Sequence, residues 1–142
     1  MVDALRSAGR VLRPGGVVVD LQPADVYRPR LAIVAPGGTR TPLGAIARDR
    51  HPGIAAAHRA RRAAVAEGVF DRVVSLHAVH RGRYRGPRDL QSRIAASDNW
   101  HLDPAMRRRL AAAWARRPRH AVLELRQPFS LSVLRKRARR GR

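Results

Sequence analysis

Residues 4–20 read Ala4-Leu5-Arg6-Ser7-Ala8-Gly9-Arg10-Val11-Leu12-Arg13-Pro14-Gly15-Gly16-Val17-Val18-Val19-Asp20. Val2, Leu5, Ala8 (or Gly9) and Leu12 recur at helical spacing, so a helix is expected over Val2 to Leu12. Pro14 pushes Arg13 out of the helical region, and Gly15-Gly16 supplies the permissive backbone of a tight turn. Val17 to Leu21 is a short β-branched run. It suits a central parallel strand buried on both faces. Helix, turn and buried strand together make an αβ unit of an α/β sheet.

Downstream, Pro23 to Arg30 reads as a loop. Leu31 to Val34 and Thr41 to Ile46 read as weak strands around Pro36-Gly37-Gly38, a hairpin pattern. Asp49 to Gly53 breaks the chain, and Ile54 to Glu67 is a helix closed by Gly68. Phe70 to Val79 is a strand and Gly82 to Gly86 a turn. Pro87 to Ala96 is a helix with proline at its first position. Asp103 caps a further helix that runs to about Arg116. Ala121 to Leu125 and Phe129 to Leu134 are strand segments separated by Pro128, and Arg135 to Arg142 is a basic, disordered tail. No internal repeat is visible.

The segment Arg10-Val11-Leu12-Arg13-Pro14-Gly15-Gly16, with its preceding helix and following valines, resembles a familiar element of class I S-adenosylmethionine-dependent methyltransferases. In that family such a turn feeds the fifth sheet strand. The resemblance implies an α/β, partial Rossmann-like methyltransferase sheet. The Ile54 to Glu67 helix would follow the fifth strand. Phe70 to Val79 and Ala121 to Leu134 would be the sixth and seventh strands, antiparallel to each other. The helices from Pro87 to Arg116 would be an insertion that shapes the substrate side. The expected organisation is a C-terminal half-domain over 1–134 and the tail over 135–142.

The resemblance also implies what is lacking. In the family, the first strand with its Gly-rich turn, a carboxylate after the second strand, and the fourth strand hold S-adenosylmethionine. All precede the Pro-Gly-Gly turn, and no Gly-x-Gly-x-Gly motif follows a strand here. No cofactor residue carries over, and no cofactor is expected for this chain alone. The chain is expected to be a truncated product, the product of a mis-assigned start, or one half of a split protein, inactive by itself or completed by a partner. The family's fifth strand lies between the fourth and the seventh. Without the fourth, Val17 to Leu21 becomes an apolar edge open to a missing N-terminal half or to self-association.

The 142 residues suffice for one ordinary domain. With few aromatics, the core must rest on Ala, Val, Leu and Ile, and alanine buries little area. The net charge is +20, carried almost wholly by arginine. A GC-rich genome would produce that bias, and a surface that attracts polyanions would also carry it. A basic nucleic-acid-associated protein is therefore the second functional reading. The lack of cysteine excludes disulfides and Cys-containing zinc sites and fits a cytoplasmic protein. No apolar stretch is long enough for a membrane span.

Asp20 and Gln22 stand at the carboxyl end of the expected fifth strand, where ligands gather in open α/β sheets, and are the substrate-side candidates. Strand-end polarity is the plainer account of them. His77 and His80, three apart in a strand, lie on opposite faces and make a poor metal pair. His51, His58, His101 and His120 are scattered, and no general base or nucleophile emerges. Arg59, Arg61 and Arg62, and Arg107, Arg108 and Arg109, form runs on two helices that suit a phosphate-binding face or a solvated surface. Trp100 and Trp114 flank the inserted helices as core residues or as walls of a substrate pocket.

Overall fold

The computed structural model describes residues 2–24, 28–49, 52–97 and 100–138. Tyr27, His51 and residues 139–142 of the expected tail lie outside them, as does part of the Asp49 to Gly53 breaker. The described elements, in chain order, are α1 (Val2–Val11), β1 (Val17–Pro23), β2 (Arg30–Val34), β3 (Arg40–Ala45), β4 (Ala47–Arg48), α2 (Pro52–Ala66), β5 (Phe70–Tyr84), α3 (Pro87–Ala95), β6 (Trp100–His101), α4 (Pro104–Ala115) and β7 (Val122–Lys136). The protein is a mixed α/β chain whose main sheet is antiparallel. It divides into two compact units. One comprises residues 1–25, 51–78 and 129–142, the other 26–50 and 79–128, and the long strands β5 and β7 each contribute to both.

In the first unit, β1 pairs antiparallel with the second half of β7, from Val17 opposite Arg135 to Pro23 opposite Phe129. The Pro-Gly-Gly turn sets this register. The Gly16 amide donates to the Arg13 carbonyl (2.9 Å), and Gly15 has φ 78°, the geometry of a type II turn with Pro14 at its second position. The Gly15 amide donates to the Lys136 carbonyl (3.0 Å) and the Lys136 amide to Gly16 (2.8 Å), which makes the glycine pair a β-bulge against Lys136 as well. Gly15 is needed for its left-handed backbone. Gly16 is needed for space, because a Cβ there would lie 2.9 Å from the Arg13 carbonyl oxygen.

Helix α2 ends as expected at Gly68 (φ 73°). The Val69 amide returns to Ala64 and the Gly68 amide to Val65, the paired bonds of a Schellman cap. Phe70 follows immediately. It is fully buried with Ala64 and Leu134, and Leu5, Leu12, Val18, Val65 and Val69 pack against them. Gly9 of α1 admits this packing, since a Cβ there would lie 2.8 Å from Val69 Cγ1.

The expectation of a parallel strand buried on both faces is overturned. β1 is antiparallel to its partner and buries one face only. Val18 lies opposite Leu134 on the face that carries the core, whereas Val17, Val19 and Leu21 are 46%, 63% and 57% exposed on the other. An apolar run signals a strand but does not say how many of its faces are covered.

In the second unit, β2 pairs with β3 and with the first half of β7, all antiparallel. The hairpin expected around Pro36-Gly37-Gly38 joins β2 to β3, with Gly38 at φ 84°. Leu31, Ile33, Leu123 and Leu125 from this sheet pack with Leu90 and Ile94 of α3 and with Met106 and Leu110 of α4. α4 begins where Asp103 accepts from the Met106 amide (2.7 Å). Several boundaries differ from expectation: α2 begins at Pro52, inside the expected breaker, and β1 runs on to Pro23. β5 runs on through Gly82 to Tyr84, and β7 is continuous through Pro128 to Lys136, which takes in the first two residues of the expected tail. Pro128 falls between the β2 register (122–126) and the β1 register (129–135), so neither of those two ladders needs its missing N–H.

Candidate functional site

The two substrate-side candidates meet. Asp20 and Gln22 share the helix-facing side of β1, opposite Ser132 and Ser130 of β7. The Gln22 amide nitrogen donates to both Asp20 carboxylate oxygens (2.8 and 2.9 Å). From α2, Arg61 Nη1 reaches Asp20 Oδ2 at 3.2 Å and Ser130 Oγ at 3.4 Å. Arg61 Nη2 lies 3.1 Å from His58 Nδ1, and His58 Nε2 lies 3.2 Å from the Pro23 carbonyl oxygen. His58 and Arg61 are three apart, so one helix face delivers both.

These partners fix the histidine tautomer. A guanidinium only donates and a carbonyl only accepts, so His58 Nδ1 is the acceptor and Nε2 carries the proton. Both ring nitrogens are thereby occupied. The Asp20 carboxylate accepts from two side chains and is ion-paired to Arg61, each about one-seventh exposed. With its carboxylate and both imidazole nitrogens partnered within the protein, the network offers no open general base. Two polar atoms inside it, Gln22 Oε1 and Ser132 Oγ, are buried without a hydrogen-bond partner.

The arrangement is inverted relative to an ordinary sheet. The polar pairs Asp20–Ser132 and Gln22–Ser130 face α2, while Val19–Val133 and Leu21–Leu131 face outward. Removing Arg61 should therefore matter. Arg61→Ala is expected to lower stability by about 2 kcal/mol, because a largely buried carboxylate loses its counter-ion and an imidazole nitrogen loses its donor. Denaturant unfolding measures this, and a loss under about 0.5 kcal/mol would mean that the network contributes little.

His58, Ser130 and Ser132 were not singled out as site residues from sequence, and Arg61 was read only as one of a run. Ser130 and Ser132 alternate with Phe129, Leu131 and Val133, so a period-two polar stripe was there to be read. Arg59, Arg61 and Arg62 looked alike as a run, and the structure separates them. Arg61 turns inward, and Arg59 and Arg62 stay exposed or half-exposed. On α4, all three arginines are exposed, but Arg107 Nε donates to the Leu102 carbonyl (2.8 Å) and Arg109 to Leu43 (2.6 Å).

The second unit has its own buried charge. Glu124 is fully buried on β7, ion-paired with Arg40 of β3, and its Oε2 lies 3.9 Å from Arg83 Nε of β5. His101 Nδ1 lies 3.5 Å from Asp49. His77 and His80 both stand in β5, three apart and so on opposite faces. Among the described residues no three His, Asp or Glu side chains gather to hold a metal, and no helix is long and apolar enough to cross a membrane.

No protein-family model, curated protein or solved structure matches this chain.

Proposed function

We propose that the chain forms the later half of a class I S-adenosylmethionine-dependent methyltransferase fold and that a segment bearing the cofactor site pairs along the free edge of β1. The observation that carries this reading is the strand neighbourhood. β1, entered through the helix and Pro-Gly-Gly turn, lies beside β7, and β7 in turn pairs β5. The family's fifth strand has the seventh as its neighbour, and the seventh lies against the sixth. The helices α3 and α4 stand between β5 and β7 in sequence, at the position of a substrate-side insertion. Asp20 and Gln22 stand near the carboxyl end of β1, where that family would present groups toward a substrate.

The edge itself supports a missing neighbour. Among the described residues β1 pairs only with β7. Bonded pairs alternate along an antiparallel ladder, and the bond from the Lys136 amide to Gly16 sets the phase. The N–H and C=O groups of Val17, Val19 and Leu21 therefore point away from β7, and their side chains are the exposed apolar ones. Such an edge is a template for another strand.

The expected result is twofold. S-adenosylmethionine titrated calorimetrically into this chain gives no saturable heat. The chain self-associates in sedimentation, and Val19→Lys returns it to monomer. Saturable micromolar binding by the chain alone would overturn the assignment of the cofactor site to another segment. A wild-type chain that is monomeric throughout would remove the argument from the edge. The polyanion-binding alternative draws support from the +20 charge, but no particular geometry among the described residues favours it.

A further inference from the structure

A trough runs between α3 and α4 in the second unit. It consists of two clefts of about 420 and 480 Å³ that share Gln91 of α3 and Arg107 of α4 in their walls. Each is large enough for a small organic ligand. One arm is lined by Pro87, Leu110, Ala111 and Trp114, and the other by Ile94, Leu102 and Trp100. At the shared waist stands Arg107. Its Nε is anchored on the Leu102 carbonyl at 2.8 Å, which fixes the guanidinium and leaves both Nη groups without a partner among the described residues. No carboxylate among the described residues lines either arm.

We propose that this trough binds a medium-chain aliphatic carboxylate. The carboxylate would be held by the Arg107 fork and by the Gln91 amide, and the hydrocarbon would lie along Leu110, Ala111 and Pro87. Charge complementarity selects an anion, since the charged group that both arms share is the Arg107 guanidinium, and the Gln91 amide can turn its NH2 toward a carboxylate. The Arg117 guanidinium lies 4.2 Å from the Trp114 ring centroid, and that of Arg93 lies 5.7 Å from Trp100, so a cation covers one face of each indole. Beyond the waist, the Trp114 arm is otherwise aliphatic, lined by Pro87, Leu110, Ala111 and Ala115. The proposal does not rest on the methyltransferase reading.

The test uses decanoate as the probe, with calorimetry and intrinsic fluorescence, because Trp100 and Trp114 are the only tryptophans and both line the trough. Decanoate is expected to bind saturably and shift the emission, and decanol to bind about tenfold more weakly or worse. Arg107→Gln should weaken decanoate binding by about tenfold, which is 1.4 kcal/mol. Arg108→Gln, an exposed neighbour outside the trough, should leave it unchanged. Ala111→Trp, at an exposed position, should fill the apolar arm and abolish binding while the circular dichroism stays native. Equal loss in Arg107→Gln and Arg108→Gln would mean attraction by general charge and would overturn the proposal. So would non-saturable decanoate binding, or decanol binding as well as decanoate.

Discussion

Replacing Arg40 by alanine is expected to lower the stability of the protein by about 3 kcal/mol, and its melting temperature by roughly 10 °C. The reason is Glu124. Its carboxylate is fully buried on β7, and Arg40 is the ion-pair partner that compensates it there. Removing Arg40 leaves a buried charge without water and with only the more distant, exposed Arg83 as a counter-ion. Arg83 does not replace Arg40. Its Nε is 3.9 Å away, beyond hydrogen-bond range, and its side chain is 69% exposed.

The converse substitution should be mild. Arg40 is 35% exposed and can return to water when the acid is gone. Glu124→Leu, which keeps the volume and removes the buried charge, is expected to cost less than about 1 kcal/mol or to stabilise. Thermal and denaturant unfolding of both variants measure the asymmetry. If Arg40→Ala were neutral, or Glu124→Leu the worse of the two, the ion pair would not have the role assigned to it.

Phe70→Ala should cost about 4 kcal/mol. Among the described residues the buried apolar cluster of the first unit comprises Ala64, Phe70 and Leu134, so one ring supplies much of its volume. Its surroundings close poorly on a cavity. Gly9 contributes no side chain, and a Cβ built there would lie only 3.6 Å from the Phe70 ring. Phe70 also follows the Schellman cap of α2 directly, so the backbone on its amino side is committed. Phe70→Leu, which retains most of the apolar volume, should cost about 1.5 kcal/mol. Equal losses for the two variants, read from urea midpoints at constant slope, would show that packing around Phe70 is not the determinant.

Local features were the legible part of the fold. α1 is announced by its apolar spacing, α2 by its closing glycine, α3 by Pro87 at its first position and α4 by its cap. Asp103 and Pro104 start α4, and Gly68 closes α2. The Pro36-Gly37-Gly38 hairpin and the Pro-Gly-Gly turn are written in residues that only a few backbone shapes accommodate. The continuation of β5 through Gly82, the passage of β7 through Pro128 and the short β4–β6 pair were not legible. Glycine and proline normally end strands, and whether they do so depends on which ladder bonds a neighbouring strand demands at that position.

The candidate site was half legible for the same reason. Asp20 and Gln22 could be placed at a strand end. That Arg61, rather than Arg59 or Arg62, would meet Asp20 at 3.2 Å depends on how α2 packs over β1, which no local pattern encodes. Residues 4–20 illustrate the division. By itself the sequence determined the helix, the tight turn and the strand, because helical apolar spacing gives way to a proline with fixed φ, a glycine pair free to take a left-handed backbone, and a β-branched run. Only the tertiary structure decided that Val17, Val19 and Leu21 face outward and that Asp20 and Gln22 face α2. That choice is made by β7, whose antiparallel register turns Ser130 and Ser132 toward the helix and carries the opposing residues of β1 to the same side.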